Sequence, residues 1–186
     1  YFMFFISTGK HALVTREPFT GLDDLKGLKI RTYGTFLPKL MKAAGAVPVG
    51  VPAPELPEAL DRGIVDAWYS IAGDTTINVG WHRFAENKGS YTEVGSIPIL
   101  NAGLGFAMNL DLWKSIDKDV RKIMLEEAKK IEVEYGHAQM GERVRGKDRF
   151  VDEFGMKFHK MSDADKQVWA DAAGDMLGDV AASMNS

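Results

Sequence analysis

The chain reads as an α/β protein on three observations. Between Leu28 and Ile71 the apolar residues change spacing repeatedly, from every second position to every third or fourth and back. Glycines at 27, 34, 45 and 63 fall where these runs stop. Beyond Lys118 the spacing settles into the helical pattern, with one short extended segment. A β-α-β-α-β order of this kind builds a sheet layered with helices.

Element by element, Tyr1 to Ser7 is aromatic and reads as a strand that Gly9 breaks, and Leu13-Val14-Thr15 can continue it before Pro18. Gly21 to Gly27 forms a short helical turn, acidic at its start and closed by glycine. Leu28 to Tyr33 alternates apolar and polar as a strand does. Phe36 to Ala44 is a helix ending at Gly45, with Pro38 in its first turn. Val47 to Val51 is a strand, Glu55 to Arg62 a helix, and Ile64 to Ile71 a third strand. Residues 73–96 are mixed and partly helical, and Ile97 to Asn109 reads as one or two strands. A long helix runs from Lys118 toward Phe154, with its apolar stripe at 116, 120, 123, 124, 128, 131, 135 and 138. Met156 to Lys160 is a short strand. Ser162-Asp163-Ala164-Asp165 resembles a capping box ahead of a closing helix with its stripe at 168, 169, 172, 173, 176, 177 and 180.

Composition excludes several functions. The 186 residues suggest one domain, or one and a half, large enough for a real core. Lys and Arg number 23 against 26 Asp and Glu, and this mild acid excess argues against a dedicated nucleic-acid binder. With no cysteine there is no disulfide scaffold, thiolate zinc site or Cys nucleophile. No apolar run approaches the ~18 residues of a membrane span. An apolar stretch at residue 1, with no Met before it, reads as an interior strand of a longer protein.

Motifs for chemistry are sparse. Histidines 11, 82, 137 and 159 are scattered and lack zinc-ligand spacing, so each reads as an ordinary surface or core histidine. Gly103-Leu104-Gly105 begins like a dinucleotide loop, but Met108 stands where its third glycine would be. Arg143, Arg145, Lys147 and Arg149 are interleaved with acids and read as a solvated helix face. No catalytic set, cofactor motif or metal motif emerges. Two features remain. Arg31 sits at the carboxyl end of a strand, pointing away from Leu28 and Ile30, where α/β sheets hold ligands. Its planar fork suits a carboxylate, although a surface ion pair explains it equally well. Trp68-Tyr69-Ser70 offers two aromatics and a hydroxyl at another strand end, suited to an amphipathic pocket or to plain core packing.

Asp24-Leu25-Lys26-Gly27-Leu28-Lys29-Ile30-Arg31 is similar to a segment of TRAP (tripartite ATP-independent periplasmic) transporter substrate-binding proteins of the C4-dicarboxylate-binding type. Ala44 to Val49, the run Glu55-Leu56, Ala59-Leu60, Gly63 and Val65-Asp66, then Asn109, Trp113 and the long helix, resemble the same family in order and spacing. The resemblance implies a two-lobed periplasmic solute-binding fold, of which mainly the second lobe, hinge strands and C-terminal helices are present. Residues 1–20 would be a hinge or cross-lobe strand, 21–110 the second lobe, and 111–186 the helices packing across the lobes. The implied function is non-enzymatic: capture of a small organic acid in the periplasm and delivery to membrane permease subunits, with no cofactor and no membrane insertion. A homodimer is left open.

Carried over position by position, Arg31 matches the family's carboxylate-pairing arginine. Ser70 stands where many members have the Asn of an Asp-Gly-Gln-Glu-Asn motif, here Asp66-Ala67-Trp68-Tyr69-Ser70. Tyr33 stands where many relatives have Pro, and Ala53 where some place a Phe. The expected ligand-binding residues are Arg31, Tyr33, Trp68, Tyr69 and Ser70. Two other classes stay open. One is an α/β enzyme on an anionic substrate with Asp66 or Asp74 as base, and the other is the sensing domain of a regulator.

Overall fold

The computed structural model of the protein describes residues 1–7, 11–71, 73–94 and 103–184. The chain opens with β1 (Phe2–Ser7) and β2 (His11–Thr15) and continues through a short 3-10 turn to β3 (Lys29–Thr32). Helix α1 (Phe36–Ala43), β4 (Val47–Gly50), α2 (Leu56–Asp61) and β5 (Ala67–Ile71) then complete the alternating run. Helix α3 (Asp74–Asn78), β6 (Ser90–Glu93) and β7 (Gly103–Ala107) follow. The last third is α4 (Leu110–Ser115), α5 (Lys118–Asp148), β8 (Lys157–Lys160) and α6 (Asp163–Met184). The part of the expected strand region at 97–102 lies outside the described residues.

Six strands form one sheet in the order β4-β3-β5-β2-β6-β8. The pairs β3–β4, β3–β5 and β6–β8 are parallel, and β2 runs against both of its neighbours, β5 and β6. The first fifteen residues therefore divide between two sheets instead of forming one continuous strand. β1 leaves to pair with β7 in a separate two-stranded ribbon, where Phe4 stacks on Phe106 with ring centroids 4.5 Å apart.

Strand alternation sorts the side chains onto two faces. Leu13, Ile30, Ala67 and Tyr69 face α1 and α6, packing on Leu40, Met41 and Trp169. Ala12, Val14 and Trp68 face the other way, against Leu56 and Leu60 of α2, Ile77 of α3, and Trp81 and Phe150. Helix starts follow the sequence signals. The Asn109 side chain accepts from the backbone N–H groups of Asp111 and Leu112, and Ser162 Oγ accepts from that of Asp165.

The long helix begins at Lys118 as expected but departs from expectation at its far end and in its apolar stripe. It stays α-helical only to Asp148, then widens into one π turn over Arg149–Glu153 that buries Phe150 fully. Its expected apolar stripe is covered at Ala128 but exposed at Val120, Ile123 and Ile131, because no described element lies over that side. The basic run near its end is more than a solvated face. Arg145 Nε and Arg149 Nη1 reach Asp74 at 3.3 and 3.2 Å, and Lys147 lies 4.9 Å from the Phe158 ring centroid.

Gly89, just before β6, marks the tightest approach among the described glycines. A Cβ there would overlap the Thr15 carbonyl oxygen and lie 2.5 Å from the Ala85 Cβ. Gly89→Ala is expected to destabilise the fold by about 3 kcal/mol through overpacking, seen as an earlier urea midpoint with an unchanged slope.

Candidate functional site

Strands β3 and β5 are parallel neighbours and β2 is antiparallel to β5, so the carboxyl ends of β3 and β5 meet the start of β2. This edge of an α/β sheet is where such folds bind ligands. It gathers Arg31, Tyr33, Tyr69, Ser70 and His11, with Trp81 approaching from the turn after α3.

Arg31 is only 5% exposed. Its Nε–H donates to the Val51 carbonyl at 3.0 Å. Its guanidinium carbon lies 4.7 Å from the Tyr33 ring centroid and 5.5 Å from that of Trp81. Among the described residues it has no ion pair. Burial lowers the guanidinium pKa, with the neighbouring Tyr33 phenol working in the opposite direction, and the group stays a cation at neutral pH. The result is a positive charge with aromatic faces around it and no carboxylate of its own.

Tyr33 is partly exposed at the rim, and its hydroxyl lies 3.1 Å from His11 Nε2 with Ser70 also in reach. Burial raises its pKa, and Arg31 then opposes that rise, so the phenol is a neutral donor. Trp68 and Tyr69 take opposite faces of β5. Trp68 is wholly enclosed, donates its Nε1–H to the Trp81 carbonyl at 3.2 Å, and packs edge-on to Trp81 with ring centroids 5.4 Å apart. It is a core residue that supports Trp81 from behind. Tyr69 stacks on the His11 ring at 5.3 Å, and among the described residues its buried hydroxyl has no hydrogen-bond partner. Burial pushes that phenol well above its usual pKa. Ser70 is nearly buried beside them.

Sequence reasoning passed over His11 and Trp81. His11 looked ordinary because its place at this edge depends on β2 reversing direction, which periodicity does not reveal. Trp81 lies in the mixed stretch that carries no clear period. Among the described residues no three His, Asp or Glu side chains converge as a metal site. The two carboxylates considered as bases are engaged elsewhere: Asp66 accepts the Lys29 backbone N–H at 3.2 Å, and Asp74 holds Arg145 and Arg149. No helix among the described residues is long and apolar enough to cross a membrane.

An open α/β sheet with an enclosed arginine and polar rim groups at its carboxyl edge has the architecture of a ligand-binding α/β protein. The chain belongs to the bacterial extracellular solute-binding protein family 7 (DctP), whose family model matches residues 2–183. Solved structures agree in fold. A TRAP periplasmic solute-binding protein from Desulfovibrio salexigens, in an open complex, is 27% identical with a TM-score of 0.76, over 96% of this chain and 54% of its own. One from Shewanella oneidensis with bound succinate is 20% identical with a TM-score of 0.80, over 96% and 56%. One from Xanthobacter autotrophicus with bound β-D-galacturonate is 18% identical with a TM-score of 0.82, over 94% and 56%. The chain thus spans little more than half the length of these proteins. Their two-lobed architecture is the one it matches.

His82 follows Trp81 directly and stacks on Phe154 at 3.9 Å. Burial depresses its pKa, outweighing the attraction of Glu86. A histidine held neutral by the fold stabilises fully above its unfolded pKa of about 6.5. As the pH falls below that value the unfolded chain takes up a proton that the folded chain does not, and stability declines until the folded group also protonates. His82→Phe is expected to flatten the fall in urea midpoint between about pH 7 and pH 5, compared with the unsubstituted protein.

Proposed function

We propose that this chain is the ligand-facing second lobe, with hinge strands and closing helices, of a periplasmic TRAP-type solute-binding protein. It captures an organic carboxylate through Arg31 and hands it to membrane permease subunits without altering it. The observation that carries this reading is the buried Arg31 cation with no ion pair among the described residues, at the carboxyl edge of β3 and β5. A buried charge without a partner is costly unless a ligand supplies one. Tyr33 and Ser70 contribute hydroxyls beside the carboxylate, and Tyr69 and Trp68 shape the aromatic ground on which the site rests. The 1–20, 21–110 and 111–186 segments then serve as hinge, ligand-bearing lobe and cross-lobe helices. Succinate and galacturonate, bound by two of the structures that share this fold, both carry the carboxylate this site suits.

Capture works by exclusion of water. In an open cleft the Arg31–carboxylate pair competes with solvent; in a closed one the lower effective dielectric strengthens it. The closed form presents a surface distinct from the open form, so a permease can discriminate loaded from empty protein. An enzymatic reading is weaker because Asp66 and Asp74 are committed to Lys29 and to Arg145 and Arg149.

Calorimetry on the full-length protein with succinate and D-galacturonate tests the anchor. Arg31→Ala is expected to weaken carboxylate binding by about 3–5 kcal/mol, on the order of a hundredfold or more. Arg31→Lys is expected to lose roughly tenfold or more, since a point charge replaces a two-pronged donor. Unchanged affinity in Arg31→Ala, with native circular dichroism, removes Arg31 from the site.

A further inference from the structure

Arg31 is held on three sides, and one of these is built at some distance along the chain. Its Nε–H is consumed by the Val51 carbonyl at 3.0 Å. The Tyr33 ring lies on one side and Trp81 on another. Trp81 is 7% exposed and sits in a turn, outside any helix or strand. It follows Gly80, whose φ of 81° lies in the left-handed region. Two bonds fix its backbone: its N–H donates to the Thr76 carbonyl at 3.1 Å, and its own carbonyl accepts from the Trp68 indole at 3.2 Å. A loop residue tied down this way is a deliberate support for whatever its ring touches.

We infer that Trp81, anchored by Trp68, is a positioning residue that fixes the Arg31 guanidinium so that only its two terminal nitrogens face the ligand. With Nε occupied by Val51, a carboxylate is gripped end-on across Nη1 and Nη2, and the side-on mode using Nε is closed. The aromatic face of Trp81 stabilises the desolvated cation in that one orientation. Ligands presenting a planar, two-oxygen edge are favoured over anions that need the Nε side. The ligand part of this inference rests on the proposed carboxylate-binding function; the pinned guanidinium does not.

The test pairs two readouts on the full-length protein. Nuclear magnetic resonance of isotope-labelled protein without ligand reports the Arg31 Nε–H, identified by its loss in Arg31→Lys. That signal is expected to be slow to exchange with water and displaced by the flanking rings. Trp81→Leu is expected to speed its exchange and move it toward the position of a free arginine, and Trp68→Phe, which removes the indole donor and part of the ring behind Trp81, to do so to a smaller degree. Calorimetry with succinate and D-galacturonate is expected to show about a tenfold loss in Trp81→Leu and a smaller loss in Trp81→Phe, which keeps a ring. An Arg31 Nε–H indifferent to Trp81→Leu and Trp68→Phe overturns the inference, as does equal affinity in Trp81→Leu and the unsubstituted protein. If Trp81→Leu does not fold, Trp81→Phe and Trp68→Phe decide by the same signal. If no carboxylate binds the unsubstituted protein, the proposed function fails while the resonance readout still judges the pinning of Arg31.

Discussion

A cation withdrawn from water, with no carboxylate partner among the described residues, is the interaction around which the candidate site is organised. Desolvating such a charge costs several kcal/mol even after the protein relaxes around it. The structure offsets part of that cost with one carbonyl, Val51, and two ring faces, Tyr33 and Trp81. These supports come from three separate places: the strand carrying Arg31, the end of β4, and the turn beyond α3. None is local to the others in sequence, so the site exists only once the sheet is assembled. What remains uncompensated is the end of the fork, which suits a ligand that brings its own negative charge.

The packing behind the site explains why it can be held firmly. The two faces of β5 serve different layers, Trp68 toward α2, α3 and Phe150 and Tyr69 toward α1 and α6. Because both aromatics are enclosed, the strand between them has little freedom, and Ser70 at its end inherits that rigidity. The segment that follows β5 is tied down as well, since Asp74 pairs with both Arg145 and Arg149, and Arg149 also binds Glu153 at 2.7 Å. Single exposed ion pairs of this kind contribute little, but a shared carboxylate fixes geometry through two long side chains.

Much of the alternating core was readable from sequence for simple reasons. The run from β3 to β5 shows its periods openly, and Gly27, Gly34, Gly45 and Gly63 all adopt positive φ where it turns. That Arg31 takes the opposite face of its strand from Ile30 followed from alternation. What stayed hidden was everything decided by strand order. That β2 inserts between β5 and β6 in reverse, carrying His11 to the edge that holds Arg31, depends on long-range pairing. That Trp68 lies behind Trp81 instead of lining open space depends on which layer covers its face. The exposed stripe on α5 has a related cause: periodicity announces an apolar face without saying what, if anything, rests on it.

Helix α5 is a continuous rod of 31 residues. At about 1.5 Å per residue it is roughly 46 Å long. One region of it packs on β1, and near its far end Arg145 is paired with Asp74 in the segment after β5. A rod of that length acts as a lever: a tilt of only about 10° at one end sweeps the other through roughly 8 Å. The two ion pairs on Asp74, from Arg145 and from Arg149 just past the rod, are placed to resist such a sweep.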